Sequence, residues 1–465
     1  MKINIASKEI IHFIGIGGIG MSGLAQIMKN MGFTIQGSDL SGSKNTERLI
    51  KSGVKVYTGH NHKNLRKATM IVISSAIKKN NKELKIARQK KLPVFKRGDM
   101  LANIIALKKN IIITGSHGKT TTTSLVANIL VEAGLDPTVI NGGIINSLKN
   151  TAQLGKGEWA VIESDESDGS FLKLPITYSI VTNVDKEHLD FYGNIENLKK
   201  SFSTFINKTP SFGKALLCMD NNNLRSLLPK CNASNYLTYG FNKNSNYQII
   251  NVRKKINHSI FDLKVKITGN KNYKIKNIKV NLIGDHNITN STASIAIALN
   301  LGIKIEKIKK ALKKFLGIQR RFTKIFSLGK KDFYDDYAHH PTEISAVIKA
   351  ARQVNKERKI ICVFQPHRYS RVKFLKNEFA LSFNACDEVI LCPVYSAGEK
   401  LKYNFNQEYF SKLISNKSGV QVINIKSQKD LKNYFKKNLF NDEMIICMGA
   451  GSISNWIREI GDELK

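Results

Sequence analysis

No stretch of about 18 consecutive apolar residues occurs in this chain, so it offers no candidate for a membrane-spanning helix and no membrane insertion is expected. Its first residues, Met1-Lys2-Ile3-Asn4-Ile5, lack the apolar core and small-residue cleavage site of a signal peptide, which points to a cytoplasmic protein. The six cysteines (Cys218, Cys231, Cys362, Cys386, Cys392 and Cys447) contain no C-x-x-C pair and no Cys/His cluster at zinc spacing. That excludes a disulfide framework and a structural zinc site, and leaves them as reduced core residues. Acidic residues are scarce, 36 against 73 lysines and arginines, for a formal net charge of +37. Such an excess raises the question of nucleic acid. The lysines are spread along the whole chain, however, with no long basic block and no aromatic–basic motif. We read the excess as a residue-usage bias that also suits anionic small molecules, and expect no nucleic-acid partner.

What is present is an alternation of apolar strand patterns and helical patterns, with 42% hydrophobic residues over 465 positions. The length suggests about three domains, and the alternation an α/β protein with parallel sheets. The domains are expected at 1–107, Rossmann-like; 108–315, a central parallel sheet of P-loop ATPase type; and 316–465, again a Rossmann-like α/β unit.

The central stretch runs Ile111-Ile112-Ile113, then Thr114-Gly115-Ser116-His117-Gly118-Lys119-Thr120-Thr121, then a helical pattern through Leu125, Val126, Ile129 and Leu130. Gly115 and Gly118 let backbone N–H groups curl around an anion, and the helix N-terminus adds its positive dipole end. Lys119 supplies a charge for phosphates and Thr120 a hydroxyl for Mg²⁺, although the loop is two residues shorter than G-x-x-x-x-G-K-[ST]. Two further strands end in polar bursts: Trp159 to Ile162 leads into Glu163-Ser164-Asp165-Glu166-Ser167-Asp168, and Tyr178 to Val184 into Asp185-Lys186-Glu187-His188. Carboxylates at the carboxyl ends of parallel strands are where Mg²⁺ is held opposite a phosphate loop, so Glu163 and His188 point to one crevice. Taken alone, His188 would more often be a solvated loop residue than a metal ligand. Residues 213–283 carry short β-like runs without legible chemistry; Asn287 and Asn290 could read the edge of a base, but on the residues alone capping the helix that follows is the better reading.

At the front of the chain, Gly15-Ile16-Gly17-Gly18-Ile19-Gly20 follows the strand Ile10 to Ile14 and opens a helix, with Asp39 19 residues after Gly20. This is a dinucleotide or nucleotide-diphosphate fingerprint, diphosphate on the glycines and ribose on the acid. Near the other end, Asp335-Asp336-Tyr337-Ala338-His339-His340-Pro341-Thr342-Glu343 and Gln365-Pro366-His367-Arg368-Tyr369-Ser370-Arg371 each follow an apolar strand. Their histidines and arginines suit a carboxylate-bearing substrate. The glycine motif alone would allow a nicotinamide oxidoreductase, but that reading leaves the lysine loop and the acidic strand end without a role.

Taken together, these motifs resemble the Mur ligase family, over all three domains and in the same order. The resemblance implies an ATP-dependent ligase that adds L-alanine to the lactyl carboxylate of UDP-N-acetylmuramate through an acyl phosphate. A relative that attaches a preformed peptide to the same sugar nucleotide is the alternative. By resemblance, Gly15, Gly17, Gly18, Gly20, Ser22 and Asp39 would meet the UDP-sugar. Gly115, Ser116, His117, Gly118, Lys119, Thr120 and Thr121 would meet ATP, with Asn287 at adenine, Arg321 (or Arg320) at the γ-phosphate and Asp335 at the ribose. Thr120 and Glu163 would hold one Mg²⁺ and His188 a second, with Mn²⁺ as a substitute. Lys119, His188 and Arg321 would be catalytic. Tyr337, His339, His367, Arg368 and Arg371 would surround the alanine and the activated carboxylate. The resemblance further implies a last domain that closes before chemistry, and a monomer or weak homodimer.

Overall fold

The computed structural model describes residues 9–147, 150–267, 272–399, 405–439 and 442–464; the stretch Met1 to Ile5 lies outside them. Among the described residues three sheets are present. The first consists of β1 (Ile10–Ile14), β2 (Thr34–Asp39), β3 (Lys55–Thr58), β4 (Met70–Ile73) and β5 (Val94–Lys96), in the order β3-β2-β1-β4-β5. All its pairings are parallel. The strand order reverses between β1 and β4, and the glycine turn after β1 lies there, with Gly15 against Ser74.

The second sheet holds β6 (Lys109–Thr114), β7 (Thr138–Ile145), β8 (Asn150–Gln153), β9 (Trp159–Glu163) and β10 (Tyr178–Val181). It continues through β11 (Ala215–Cys218), β12 (Tyr236–Gly240), β13 (Tyr247–Lys254), β14 (Ser259–Val265) and β15 (Tyr273–Val280). Its order is β15-β14-β13-β12-β11-β10-β6-β9-β7-β8. β6 therefore runs between β9 and β10, parallel to both, in the registers Ile113 with Glu163 and Thr114 with Val181. Parallel pairing delivers all three strand ends to one edge of the sheet. The helix after β6, Lys119–Glu132, is buried over Thr120–Ala127 and again at Ile129 and Leu130. That explains why its threonines are short enough to pack among Leu125 and Val126 rather than forming a polar face. The segment without legible chemistry, 213–283, supplies β11 to β15.

The third sheet has β16 (Thr323–Leu328), β17 (Lys331–Asp336), β18 (Ile360–Phe364), β19 (Glu388–Leu391), β20 (Gln421–Asn424) and β21 (Met444–Met448), ordered β16-β17-β21-β18-β19-β20. Only the β16–β17 pair is antiparallel. Its apolar residues fill one core on each face, around Phe364, Phe379 and Phe383 on one side and Phe333, Ile445 and Ile457 on the other.

The chain forms two compact units. One carries the first two sheets, which are joined by the helix Ile19–Asn30 packing on β7 and β8 and by the ion pair of Lys173 with Asp99 at 2.5 Å. The other comprises Arg253–Ile260, Asn281–Ile288 and Gly317–Lys465. All six cysteines are buried and unpaired, and burial pushes the Cys218 and Cys392 thiols up to about 12, so they behave as small core residues. Among the described residues no helix is long and apolar enough to cross a membrane.

Gly37 decides how β2 can pass under the first glycine turn. A Cβ there would sit 2.6 Å from Ile16 Cδ1 and 2.7 Å from the Phe13 carbonyl oxygen, and the backbone contact cannot be relieved by a rotamer change. Gly37→Ala should therefore destabilise the protein by about 1–3 kcal/mol, read as a shifted urea midpoint with an unchanged slope. An unshifted midpoint would contradict this packing.

Candidate active site

The lysine loop is shaped by the strand beside it. Gly115 (φ +127°) and Gly118 (φ +82°) occupy conformations that favour glycine, and a Cβ on Gly115 would meet Thr182 Oγ1 at 2.2 Å and the Asn183 carbonyl at 2.9 Å. The N–H groups of Ser116 and His117 donate to the carbonyl (3.1 Å) and side-chain oxygen (2.8 Å) of Asn183. Thr182 Oγ1 and Asn183 Nδ2 donate back to the His117 carbonyl at 2.5 and 3.0 Å. The whole run from Gly115 to Thr121 reads from sequence as one phosphate cradle. In the folded chain, Asn183 takes up the N–H groups of Ser116 and His117. The leading N–H groups of the helix Lys119–Glu132, for which the helix itself has no carbonyl, form the anion-seeking part. The ring of His117 lies 3.2 Å from Asp185.

Lys119 Nζ donates to the Gly115 carbonyl at 2.6 Å and to Glu166 Oε2 at 2.9 Å. Burial alone would lower its pKa, but Glu166, Asp165 and Glu163 more than reverse this and keep the ammonium charged. Thr120 Oγ1 donates to Glu163 Oε1 at 3.0 Å, and the Gly142 N–H donates to Glu163 Oε2 at 2.5 Å. His188, in the left-handed region (φ 55°), brings Nε2 to 3.8 Å from Glu166 Oε1. Asp165, Glu166 and His188 offer ligand atoms that all lie within 4.8 Å of one another. Thr120 thus meets Glu163, while Lys119 and His188 meet at Glu166 rather than at Glu163. Glu166, Thr182 and Asn183 join them, although nothing in the sequence pattern singles these three out from their polar neighbours.

Asn287 and Asn290 do not cap the helix Asp285–Asn300, because both lie inside its first turns. Asn287 Nδ2 donates back to the Ile283 carbonyl at 2.8 Å, and Asn290 presses on the turn at Gly118, its Oδ1 2.7 Å from where a Cβ would be.

At the first glycine turn, Gly15 and Ile16 donate to the Ser38 carbonyl at 2.8 and 3.0 Å. Asp39 accepts from the Gly17 N–H at 2.7 Å and the Leu40 N–H at 2.8 Å, so its carboxylate braces the loop. Gly18 forms the N-cap of the helix Ile19–Asn30 without a side-chain cap, leaving its end open. Ser22 is buried and donates to the Ile19 carbonyl at 3.0 Å, within its own helix. The guanidinium of Arg97 lies beside Gly20, a cation that no motif announces.

In the second unit Asp335, expected at the ATP ribose, is fully buried. Its Oδ2 accepts from Ser454 Oγ at 2.6 Å and Arg458 at 2.8 Å, while its Oδ1 lies 3.7 Å from Arg320 Nε with no hydrogen-bond partner among the described residues. Arg320 is tied to the Gly449 carbonyl at 2.7 Å and lies over the Tyr337 ring at 4.8 Å. Arg321 shares that ring at 5.4 Å but is otherwise only 3.9 Å from Glu343. His339 contacts the Tyr337 carbonyl at 3.0 Å and faces the ring of His367, which stacks on Tyr395. Arg371 approaches His367 Nδ1 at 3.2 Å. Arg368 opens the helix Tyr369–Phe374 at φ 68°, a strained conformation for a residue with a side chain. The carboxyl ends of β17, β18 and β21 thus gather Tyr337, His339, His367 and Arg371 into one cluster, with Tyr395 as an unforeseen member.

Family comparisons agree with this geometry. Residues 10–109 match the model described as Mur ligase family, catalytic domain; 113–298 the Mur ligase middle domain; and 320–451 the Mur ligase glutamate ligase domain. The chain is 54% identical to the UDP-N-acetylmuramate–L-alanine ligase of Pelagibacter ubique over 99% of both chains. It is 42% identical to that of Brucella anthropi, over 100% of this chain and 98% of the other. The solved UDP-N-acetylmuramate–alanine ligase of Thermotoga maritima superposes with a TM-score of 0.82 at 27% identity, covering 97% of this chain and 98% of that one. Matched by three consecutive domain models and by full-length relatives, this chain belongs to the Mur ligase family.

Proposed function

We propose that this protein joins L-alanine to the lactyl carboxylate of UDP-N-acetylmuramate at the expense of ATP, a step of peptidoglycan precursor synthesis in the cytoplasm. The observation that carries this reading is the convergence of Lys119, Thr120, Glu163 and His188 on one sheet edge, in a chain 54% identical over its length to a protein named for that reaction. The carboxylate attacks the γ-phosphorus, giving an acyl phosphate and ADP, and the neutral amine of alanine then displaces phosphate through a tetrahedral intermediate.

Each residue's part follows from its chemistry. The ammonium of Lys119 and the leading N–H groups of its helix neutralise charge on the transferring phosphoryl group, the main source of rate in such reactions. The Thr120 hydroxyl and Glu163 carboxylate are hard oxygen donors 3.0 Å apart and fit Mg²⁺, with His188 assigned to a second ion. Mg²⁺, when bound, screens the phosphate charges. Gly15, Gly17, Gly18 and Gly20 are assigned to the diphosphate of the sugar nucleotide, with Arg97 as an added countercharge. Arg321 is assigned to the γ-phosphate in preference to Arg320, whose guanidinium is already engaged by Gly449. Tyr337, His339, His367, Arg368 and Arg371 are assigned to alanine and the activated carboxylate, Arg371 gripping the amino-acid carboxylate.

Phosphate release from Mg-ATP should require both UDP-N-acetylmuramate and L-alanine. Release only with a preformed tripeptide would move the assignment to a peptide ligase. Lys119→Ala should lower that release by about 10³-fold while leaving UDP-sugar affinity, by calorimetry, within about twofold. Weakened sugar-nucleotide binding in this variant would argue against separate sites. Arg371→Ala should raise the KM for alanine by about tenfold with little change in that for ATP, and an equal rise in both would remove its assignment.

A further inference from the structure

Glu166 stands three residues beyond Glu163, and its side chain is 0% exposed. One oxygen, Oε2, accepts from Lys119 Nζ. The other, Oε1, is buried and has no hydrogen-bond partner among the described residues. His188 Nε2 lies 3.8 Å from it, too far for a hydrogen bond yet close enough for both atoms to reach one cation at about 2.1 Å each. Asp165 offers a third ligand atom to the same cluster. The surroundings hold this arrangement rather than merely permitting it. The Tyr192 hydroxyl donates to the Glu166 carbonyl, and His188 itself has a left-handed backbone conformation at φ 55°. A buried carboxylate oxygen left without a partner is costly, so its retention calls for a ligand.

On the other side, Lys119 has spent its donors inside the protein. Its contacts are the Gly115 carbonyl at 2.6 Å, the Ser116 carbonyl at 3.4 Å and Glu166 at 2.9 Å. An incoming phosphate must compete with Glu166 for that ammonium, and release of Lys119 leaves a carboxylate with both oxygens unsatisfied beside His188.

We infer that Glu166 acts at two stations: it is the counter-ion that parks Lys119 before nucleotide binds, and once the lysine has moved to phosphate it joins His188 and Asp165 as a ligand of the second divalent cation. This rests on the ATP-dependent reading proposed above. It makes Glu166 a brake on nucleotide binding without metal and a support for it with metal. A residue that served only packing would affect both in the same direction.

The test uses the full chain and β,γ-imido-ATP. Calorimetry in EDTA should show Glu166→Gln binding the analogue about tenfold more tightly than the unaltered protein, because a competing carboxylate is gone. Mn²⁺ titration followed by EPR, with the analogue bound, should show two ions in the unaltered protein. In the variant one ion should be held at least about tenfold more weakly, and the other, at Thr120 and Glu163, should be unchanged. Unchanged or weaker binding in EDTA would overturn the counter-ion role. Two ions held at the original affinity, or a single ion in the unaltered protein, would overturn the ligand role. If Glu166→Gln does not fold, Glu166→Asp retracts the carboxylate while keeping its charge and should still weaken the second Mn²⁺; full retention of both ions there overturns the ligand role. An unaltered protein that does not bind the analogue at all would refute the ATP-dependent reading itself, a separate outcome.

Discussion

A lysine ammonium held with its side chain 14% exposed at the end of a parallel strand needs negative charge around it. Everything near Lys119 answers that need. Glu166 meets it directly, Asp165 and Glu163 stabilise it through space, and together they outweigh the desolvation that would otherwise strip its proton. On the proposed function, the same three acids would also draw divalent cations to the phosphates, so one group would compensate the lysine without nucleotide and hold metal with it. One charge constraint therefore accounts for the acidic strand end, the loop contacts and the pairing of Thr120 with Glu163.

Backbone strain coincides with assigned chemistry at three positions. Among the described residues nine non-glycine residues have positive φ, and three of them, His188, Arg320 and Arg368, are site candidates. A left-handed or extended left-side conformation costs about 1–3 kcal/mol and persists only where the surroundings hold it. For His188 the surroundings are the turn into the helix Leu189–Tyr192, and for Arg368 the N–H bond to the Tyr395 carbonyl at 2.8 Å. Both devices re-aim a long polar side chain at the end of a strand or turn, where a relaxed backbone would point it elsewhere.

Much of this was legible in the order of residues. The glycine turns after Ile14 and Thr114, the apolar strands before Glu163 and before His339, and the lysine followed by threonines follow from local rules: β-branched runs make buried strands, glycine opens turns, and a helix start binds anions. These rules act within about ten residues, so sequence alone carried the α/β class, the three-sheet organisation and the convergence of Glu163 with Thr120. Even the reduced state of the cysteines followed from their lack of spacing.

What the sequence could not decide is which of several equivalent polar residues faces inward, because that depends on partners far along the chain. Asp335 and Asp336 are adjacent and both buried, yet Asp335 accepts from Ser454 and Arg458, 119 and 123 residues away, while Asp336 accepts from the N–H groups of Phe322 and Ala338. Asn183 closes the lysine loop only because β10 runs beside β6, and Glu166 rather than Asp168 reaches Lys119 only through the turn that follows β9. The sequence by itself determined the elements and the chemistry they carry. Strand pairing and burial, which act across the whole chain, decided which carboxylate and which arginine are committed to the protein and which remain for a ligand.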